Sequence, residues 1–251
     1  MKNKLKSNKK IYFASDFHLG DHISENKERE MKIVSWLEDI KRDAKCIYLL
    51  GDIFDFWFEY KKVIPKGFVR ILGKFAELTD SGIEINFVVG NHDLWAKDYL
   101  YNECGINIHH KQLEFSIDEK YFFIAHGDNL GNSKRSLKIL KFIFKNKFCQ
   151  WMFSKIHPDL SFKIAHKWSK FSRENGGNPN YLGPNNEHLQ IFCKNHSEKN
   201  PHINYYMMGH RHLPLMVKIS ENVTYCNTGD WITNFSYFEF NGKEIKIKYY
   251  K

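Results

Sequence analysis

Residues able to hold cations stand in order behind short apolar runs: Asp16 and His18 in SDFHLG, Asp52 in LGDIFD, Asn91 and His92 in GNHD, His126 in AHGD, and His210 with His212 in GHRH. Carboxylate, amide and imidazole donors of this kind suit two divalent ions about 3.5 to 4 Å apart, which need a bridging carboxylate and an open edge for water. Such a pair acidifies a shared water and neutralises charge on phosphoryl oxygens during in-line attack, so the chemistry indicated is phosphoester or pyrophosphate hydrolysis. Each motif alone is weak, because an Asp behind a strand is commonly a turn former and a single His a structural hydrogen-bonding group. Their conjunction carries the reading. In GHRH the two histidines are expected to lie on one face of an extended segment, each reaching an adjacent ion. Oxygen and nitrogen donors without thiolate suit Mn, Fe or Zn.

The elements that must position these groups read as α/β. Nearly continuous apolar runs at 11–15, 46–50, 85–89, 121–125 and 203–208 have the texture of strands buried on both faces. Between the first three lie helical patterns, one with Met31, Val34, Leu37 and Ile40 on a face and one with Phe68, Ile71, Leu72 and Phe75. In such sheets ligands bind beyond the carboxyl ends of the strands, so turns spread over much of the chain can converge. After residue 210 the pattern becomes hairpin-like in VTYCN, ITNFSYFEF and KEIKIKYY, the last two joined at Asn241 and Gly242.

At 251 residues and 42% apolar composition the chain can bury a substantial core. No run is long and uncharged enough to span a bilayer. MKNKLKSNKK reads as a tail, not a leader. Five cysteines, Cys46, Cys104, Cys149, Cys193 and Cys226, show no CxxC spacing, which excludes a zinc knuckle or thioredoxin-like site and suits reduced thiols in a cytosolic protein. The formal charge of +9 favours an anionic partner.

DxH, GD, GNHD, a later HGD and GHxH resemble the calcineurin-like metallophosphoesterase superfamily, from residue 16 to residue 212. The resemblance implies two packed mixed β-sheets flanked by helices. It implies that Asp16, His18, Asp52 and His212 hold one ion and that Asp52, Asn91, His126 and His210 hold the other, with Asp52 as bridge and Mn as the metal. His92 would act at the leaving group as general acid or phosphate-positioning donor. GDIFDFWFEY, GNHDLW, HGDNLG, CQWMFSKIHPDL, GHRHLP and NTGDWITNFSYFEF further resemble one branch, the UDP-2,3-diacylglucosamine diphosphatases of lipid A synthesis in Bacteroidetes-type bacteria. That branch implies release of UMP and 2,3-diacylglucosamine 1-phosphate from a UDP-linked glycolipid. Two departures weaken it: proteobacterial members carry Arg where His92 stands, and an acidic residue and a Tyr where Lys134 and Leu137 stand.

One basic and aromatic stretch interrupts the α/β pattern. Lysines 138, 141, 145, 147, 155, 163, 167 and 170 alternate with Phe142, Phe144, Trp151, Phe153, Phe162, Trp168 and Phe171, in helical pieces broken near Pro158. The expected organisation is a core of residues 1–133 and 187–251 with an inserted helical cap and loop at 134–186. A basic helix with aromatics suits peripheral contact with an anionic membrane on the cytoplasmic side or a grip on acyl chains. The same residue types could also bind nucleic acid, or the aromatics could simply pack on the core. His166, Arg173, Asn178 and Asn180 are candidate substrate contacts beside Asn91 and His92. A broader phosphodiesterase or nuclease, and a non-catalytic scaffold, are the rival functions.

Overall fold

The computed structural model describes residues 5–6, 8–21, 26–131, 144–174 and 180–251, with the backbone alone at 170–174. Its first sheet starts from β1 (Lys10–Ala14), β2 (Ala44–Leu49), β3 (Glu84–Val88) and β4 (Asn107–His109), all parallel. The connections are the helices α1 (Asn26–Lys41), α2 (Val69–Asp80) and α3 (Tyr99–Cys104). The chain then leaves for a second sheet through β5 (Leu113–Ile117) and β6 (Lys120–Ala125). Helices α4 (Lys147–Phe153), α5 (Pro158–Glu174) and α6 (His188–Lys199) intervene before β7 (Tyr205–Met208), β8 (Pro214–Lys218) and β9 (Thr224–Thr228). Finally β10 (Ser236–Phe240) and β11 (Ile245–Tyr249) return to the first sheet.

The strand orders are β11-β10-β1-β2-β3-β4 and β5-β6-β7-β9-β8. Both sheets are mixed: β10 runs antiparallel to β1 and to β11, whereas β6, β7 and β9 are parallel and flanked by antiparallel β5 and β8. Period-two alternation fixes the layers. Ile11 and Phe13 of β1 meet Phe122 and Ile124 of β6 and Met207 of β7 between the sheets. Tyr12 and Ala14 face α1 and α2 on the other side. Phe123, Ala125, Tyr206 and Met208 face α6. Helix, sheet, sheet and helix therefore form four layers, which explains why the central strands are apolar on both faces.

The first helix is where expected, but its buried face is Ile33, Trp36, Leu37 and Ile40, whereas Met31 is exposed. Trp36 decides the orientation, because it can fill the space between Tyr12, Phe17 and Trp231. Phe68 precedes α2 with φ 59° and does not belong to its helical face. The hairpin at Asn241 is closed by its own side chain, which accepts from the backbone N–H of Lys243 and Glu244. In the stretch expected to be helical, Pro158 is the first residue of α5, a position where its missing N–H costs nothing. The aromatics divide: Phe144, Phe153 and Phe162 pack on Phe56, Phe58 and Trp95 of the core, whereas Phe148, Trp151 and Trp168 stay exposed. Lys134, Leu137, Lys138, Lys141 and Phe142 lie outside the described residues. All five cysteines are free thiols.

Candidate metal centre

The turns after β1, β2, β3, β6 and β7 meet at one end of the two sheets and are stitched to one another by backbone. Asp16 N–H donates to Gly51 O at 3.0 Å, His18 N–H to Asp52 O at 3.0 Å, and Gly209 N–H to His126 O at 3.0 Å. Asp93 ties two of the turns together, its buried carboxylate accepting from Gly90 and Ile53 N–H at 2.7 Å each. Burial and the charge of Asp52 push the Asp93 carboxyl up to about 7. Five of the seven candidate ligands adopt left-handed backbone: Asp16 (φ 56°), His18 (45°), Asp52 (52°), His210 (68°) and His212 (51°). Each such residue costs about 1–3 kcal/mol, and strain of this kind collects where function fixes side-chain direction. Glycines admit the close approach. A Cβ on Gly90 would run into the Asp52 carboxylate and backbone, and one on Gly209 would strike Ser15 and Asp16.

These backbones gather the side chains into two groups whose ligand atoms lie within 4.8 Å of one another, Asp16 with His18 and His212, and Asp52 with His126 and His210. His212 Nε2 is 3.1 Å from Asp16 Oδ1 and 3.1 Å from His18 Nε2. Asp52 stands between the groups. Its Oδ1 accepts from His92 N–H at 2.9 Å, while its Oδ2 is 3.1 Å from His126 Nε2 and 3.8 Å from His18 Nε2. One oxygen of Asp52 thus faces both groups. The GHRH expectation needs correction: His210 and His212 do not share a face of an extended segment, because both are left-handed and Arg211 N–H turns back to Gly209 O at 2.8 Å. The tight turn sends one imidazole to each group.

The tautomers follow from the partners. His126 Nδ1 meets Leu50 O at 2.7 Å, and a carbonyl only accepts, so this nitrogen always carries a proton and Nε2 is the one turned to the site, able to ligate once it gives up its own proton. His18 is set in the same way by Asp55, whose Oδ1 is 3.3 Å from Nδ1. His92 directs Nδ1 to Asp55 O at 2.8 Å, leaving Nε2 toward Asp52 Oδ2 at 4.0 Å. Asn91 Oδ1 is buried and has no hydrogen-bond partner among the described residues.

The charges match a cation. Burial opposes ionisation of Asp16, Asp52 and Asp55, yet the surrounding imidazoles hold all three carboxyls well below the ordinary range. Conversely, burial opposes charge on His18, but Asp16 and Asp55 raise its ring to about 10. His126 is likewise raised, Asp52 outweighing burial. His210 is pushed down to about 3 by burial and by the charge on His126. Buried carboxylates this close are tolerable only beside compensating positive charge, supplied here by protonated imidazoles that are themselves ligand types. An amide oxygen unpartnered among the described residues, imidazole nitrogens directed inward and three anionic carboxylates fit divalent metal.

Beside the centre lies a pocket of about 200 Å³ between the core and α5. Asn91, His92, Asp55 and Ser169 form its polar end, and Phe56, Leu94, Trp95, Phe144, Phe153, Ile164, Ala165 and Trp168 form the rest. Of the candidate substrate contacts, Asn91 and His92 line this pocket, and His166 places Nδ1 3.6 Å from Asp55 Oδ2. Asn180 is exposed, and its backbone carbonyl accepts from Arg211. The Arg173 side chain and Asn178 lie outside the described residues. Asp55 and Ser169 were missed from sequence. Asp55 had a signal as the second Asp of LGDIFD; Ser169 had none.

Comparison with known proteins adds relatives to this geometry. The model of the calcineurin-like phosphoesterase family matches residues 9–214. A UDP-2,3-diacylglucosamine hydrolase from Porphyromonas gingivalis is 38% identical, over 95% of this chain and 97% of its own. One from Histophilus somni is 25% identical over 95% and 99%. Similar solved structures include a phosphoesterase from E. coli, 15% identical at TM-score 0.44 over 96% of this chain and 100% of that one. A dimetal phosphatase from Danio rerio is 11% identical at TM-score 0.46 over 98% and 100%.

Proposed function

The chain belongs to the calcineurin-like phosphoesterase family, and from that premise we propose that it hydrolyses the pyrophosphate of UDP-2,3-diacylglucosamine to UMP and 2,3-diacylglucosamine 1-phosphate. The observation that carries the reaction type is the single Asp52 oxygen facing both ligand groups. The substrate class rests on the relatives named for that hydrolysis and on an apolar pocket opening at His92.

Asp16, His18, Asp52 and His212 would hold one ion, and Asp52, Asn91, His126 and His210 the other, with Mn as the proposed metal. When bound, such ions supply an acidified water near neutral pH and neutralise charge on the phosphoryl oxygens. Leu50 O and Asp55 fix the His126 and His18 rings so that Nε2 stays directed at the site throughout. His92 gives its Nδ1 proton to Asp55 O, so to act as acid it would take up a second proton on Nε2, against the burial that lowers its pKa, and pass it to the phosphate oxygen that departs when the P–O bridge breaks. Asn91 and His92 border both the centre and the pocket, so they would orient the pyrophosphate, with His166, Arg173, Asn178 and Asn180 as further contacts from the insert and its loop.

We assign residues 1–133 and 187–251 to the hydrolase core and 134–186 to the inserted cap, whose pocket would receive an acyl chain. Among the described residues no helix is long and apolar enough to cross a membrane. On α4, on α5 and in the turn between them, exposed Phe148, Trp151, Leu160 and Ile164 are interspersed with exposed Lys147, Lys155, Lys163 and Lys167. That mixture suits peripheral contact with an anionic membrane on the cytoplasmic side, where the lipid substrate would be met. The test is incubation of purified protein with Mn and UDP-2,3-diacylglucosamine, followed by nucleotide analysis. UMP release is expected; no UMP, together with turnover of single-stranded nucleic acid, would select a nuclease instead.

A further inference from the structure

Asp55 lies three residues after Asp52, is buried, and serves two parts of the molecule at once. From the core, His18 Nδ1 approaches its Oδ1 at 3.3 Å. From the insert, Ser169 on α5 donates its hydroxyl to that same oxygen at 2.8 Å. His166, one helical turn earlier on the same face of α5, sets Nδ1 3.6 Å from Oδ2. Ser169 Oγ also lies 3.3 Å from His92 Nδ1. A single buried hydroxyl of the insert therefore touches both the carboxylate that orients a candidate metal ligand and the ring of the candidate acid.

We propose that Ser169 is a positioning residue: its hydrogen bond holds Asp55 in the orientation that keeps His18 Nε2 directed at its ion, so the seat of α5 becomes a condition for tight metal binding. This rests on the two-metal reading above. An imidazole ligand is aimed by what its other nitrogen bonds, and loss of such outer partners costs about 10- to 100-fold in metal affinity. Ser169 acts one step further out, through Asp55, which places its effect near the lower end. The helix that carries Ser169 also supplies Ile164, Ala165 and Trp168 to the wall of the apolar pocket. Whatever seats or displaces that wall is thereby felt at His18.

The test is Mn titration, with free ion followed by electron paramagnetic resonance, on wild-type protein, Ser169→Ala and Ser169→Thr. Threonine keeps the hydroxyl, and its methyl has the adjacent pocket to occupy. The expected result is two ions bound by wild type, about tenfold weaker binding of one of them in Ser169→Ala with the other changed by less than about twofold, and recovery in Ser169→Thr. Thermal melting of the metal-free proteins reports packing separately. Two ions bound by Ser169→Ala as tightly as by wild type would overturn the proposal, as would equal weakening of both ions that threonine does not restore. Failure of wild type to bind an ion pair would instead remove the two-metal reading beneath it.

Discussion

If the pocket beside His92 receives an acyl chain, its size sets how chain length acts on affinity. A volume of about 200 Å³, at ~30 Å³ for a water-sized group, holds roughly six methylenes. Each contributes about 0.8 kcal/mol when taken out of water, or roughly fourfold in affinity, and a full pocket about 5 kcal/mol at most. Ala165→Leu adds three carbons on the pocket wall and should leave room for about three methylenes. The lost stabilisation, about 2.4 kcal/mol, corresponds to a roughly fifty-fold drop in kcat/KM for long chains. Burial of the tail is the same in ground and transition states, so the change should fall on KM with kcat nearly constant. The assay is UMP release from a series of UDP-diacylglucosamines of increasing acyl length. Wild type should gain steeply and then level off, and Ala165→Leu should level off earlier. Equal kcat/KM across the series, or an unaltered profile in Ala165→Leu, would refute acyl occupancy of this pocket.

Metal uptake should release protons. His18, raised to about 10, and His126, raised well above the ordinary histidine value, are both protonated at neutral pH in the metal-free protein and must lose those protons to bind metal. The affinity of each ion should therefore rise by about one decade per pH unit between roughly pH 6 and 8, still below the raised His18 value. Calorimetry in buffers of different ionisation enthalpy would show it; heats independent of buffer would contradict it. Asp230→Ala should destabilise the protein by about 2–3 kcal/mol, because the buried carboxylate accepts from Ile232, Thr233 and Asn234 N–H and from the Asn234 side chain. Asn234 also donates to His212 O, so the same variant should loosen metal binding. Urea denaturation of the metal-free protein measures the first effect, and a loss below about 0.5 kcal/mol would speak against it.

The layers of the fold and the convergence of the turns were legible because both are local. Strands covered on both faces must be apolar throughout, as Ile11 to Ala14 are, and the polar residue ending each strand must point into the crevice beyond it. What was not legible depended on pairing across the chain. Met31 and Ile33 fit a helical period almost equally well, and only the cavity beside Tyr12 and Trp231 selects the face that carries Trp36. Nothing local announces that His210 and His212 adopt left-handed backbone; the short Arg211 turn and the proximity of Gly209 to Asp16 impose it. Ser169 reads as an ordinary helical serine until α5 is laid against Asp55, more than a hundred residues away in sequence. The short strands β4 and β5 were also missed. Their residues are only partly buried, so the apolar pattern that identifies central strands is faint there.

The central claim is that Asp52 bridges two ions that act on a pyrophosphate, and the most direct test pairs metal counting with UMP release in wild type, Asp52→Asn and His110→Asn. Asparagine keeps the shape of the side chain but removes the charge shared by both groups, whereas His110 lies outside them. Two ions per chain and rapid UMP release are expected for wild type and His110→Asn. Asp52→Asn should lose at least one ion and about a thousandfold in rate, equivalent to about 4 kcal/mol. Two tightly held ions and near-wild-type UMP release in Asp52→Asn would contradict the account.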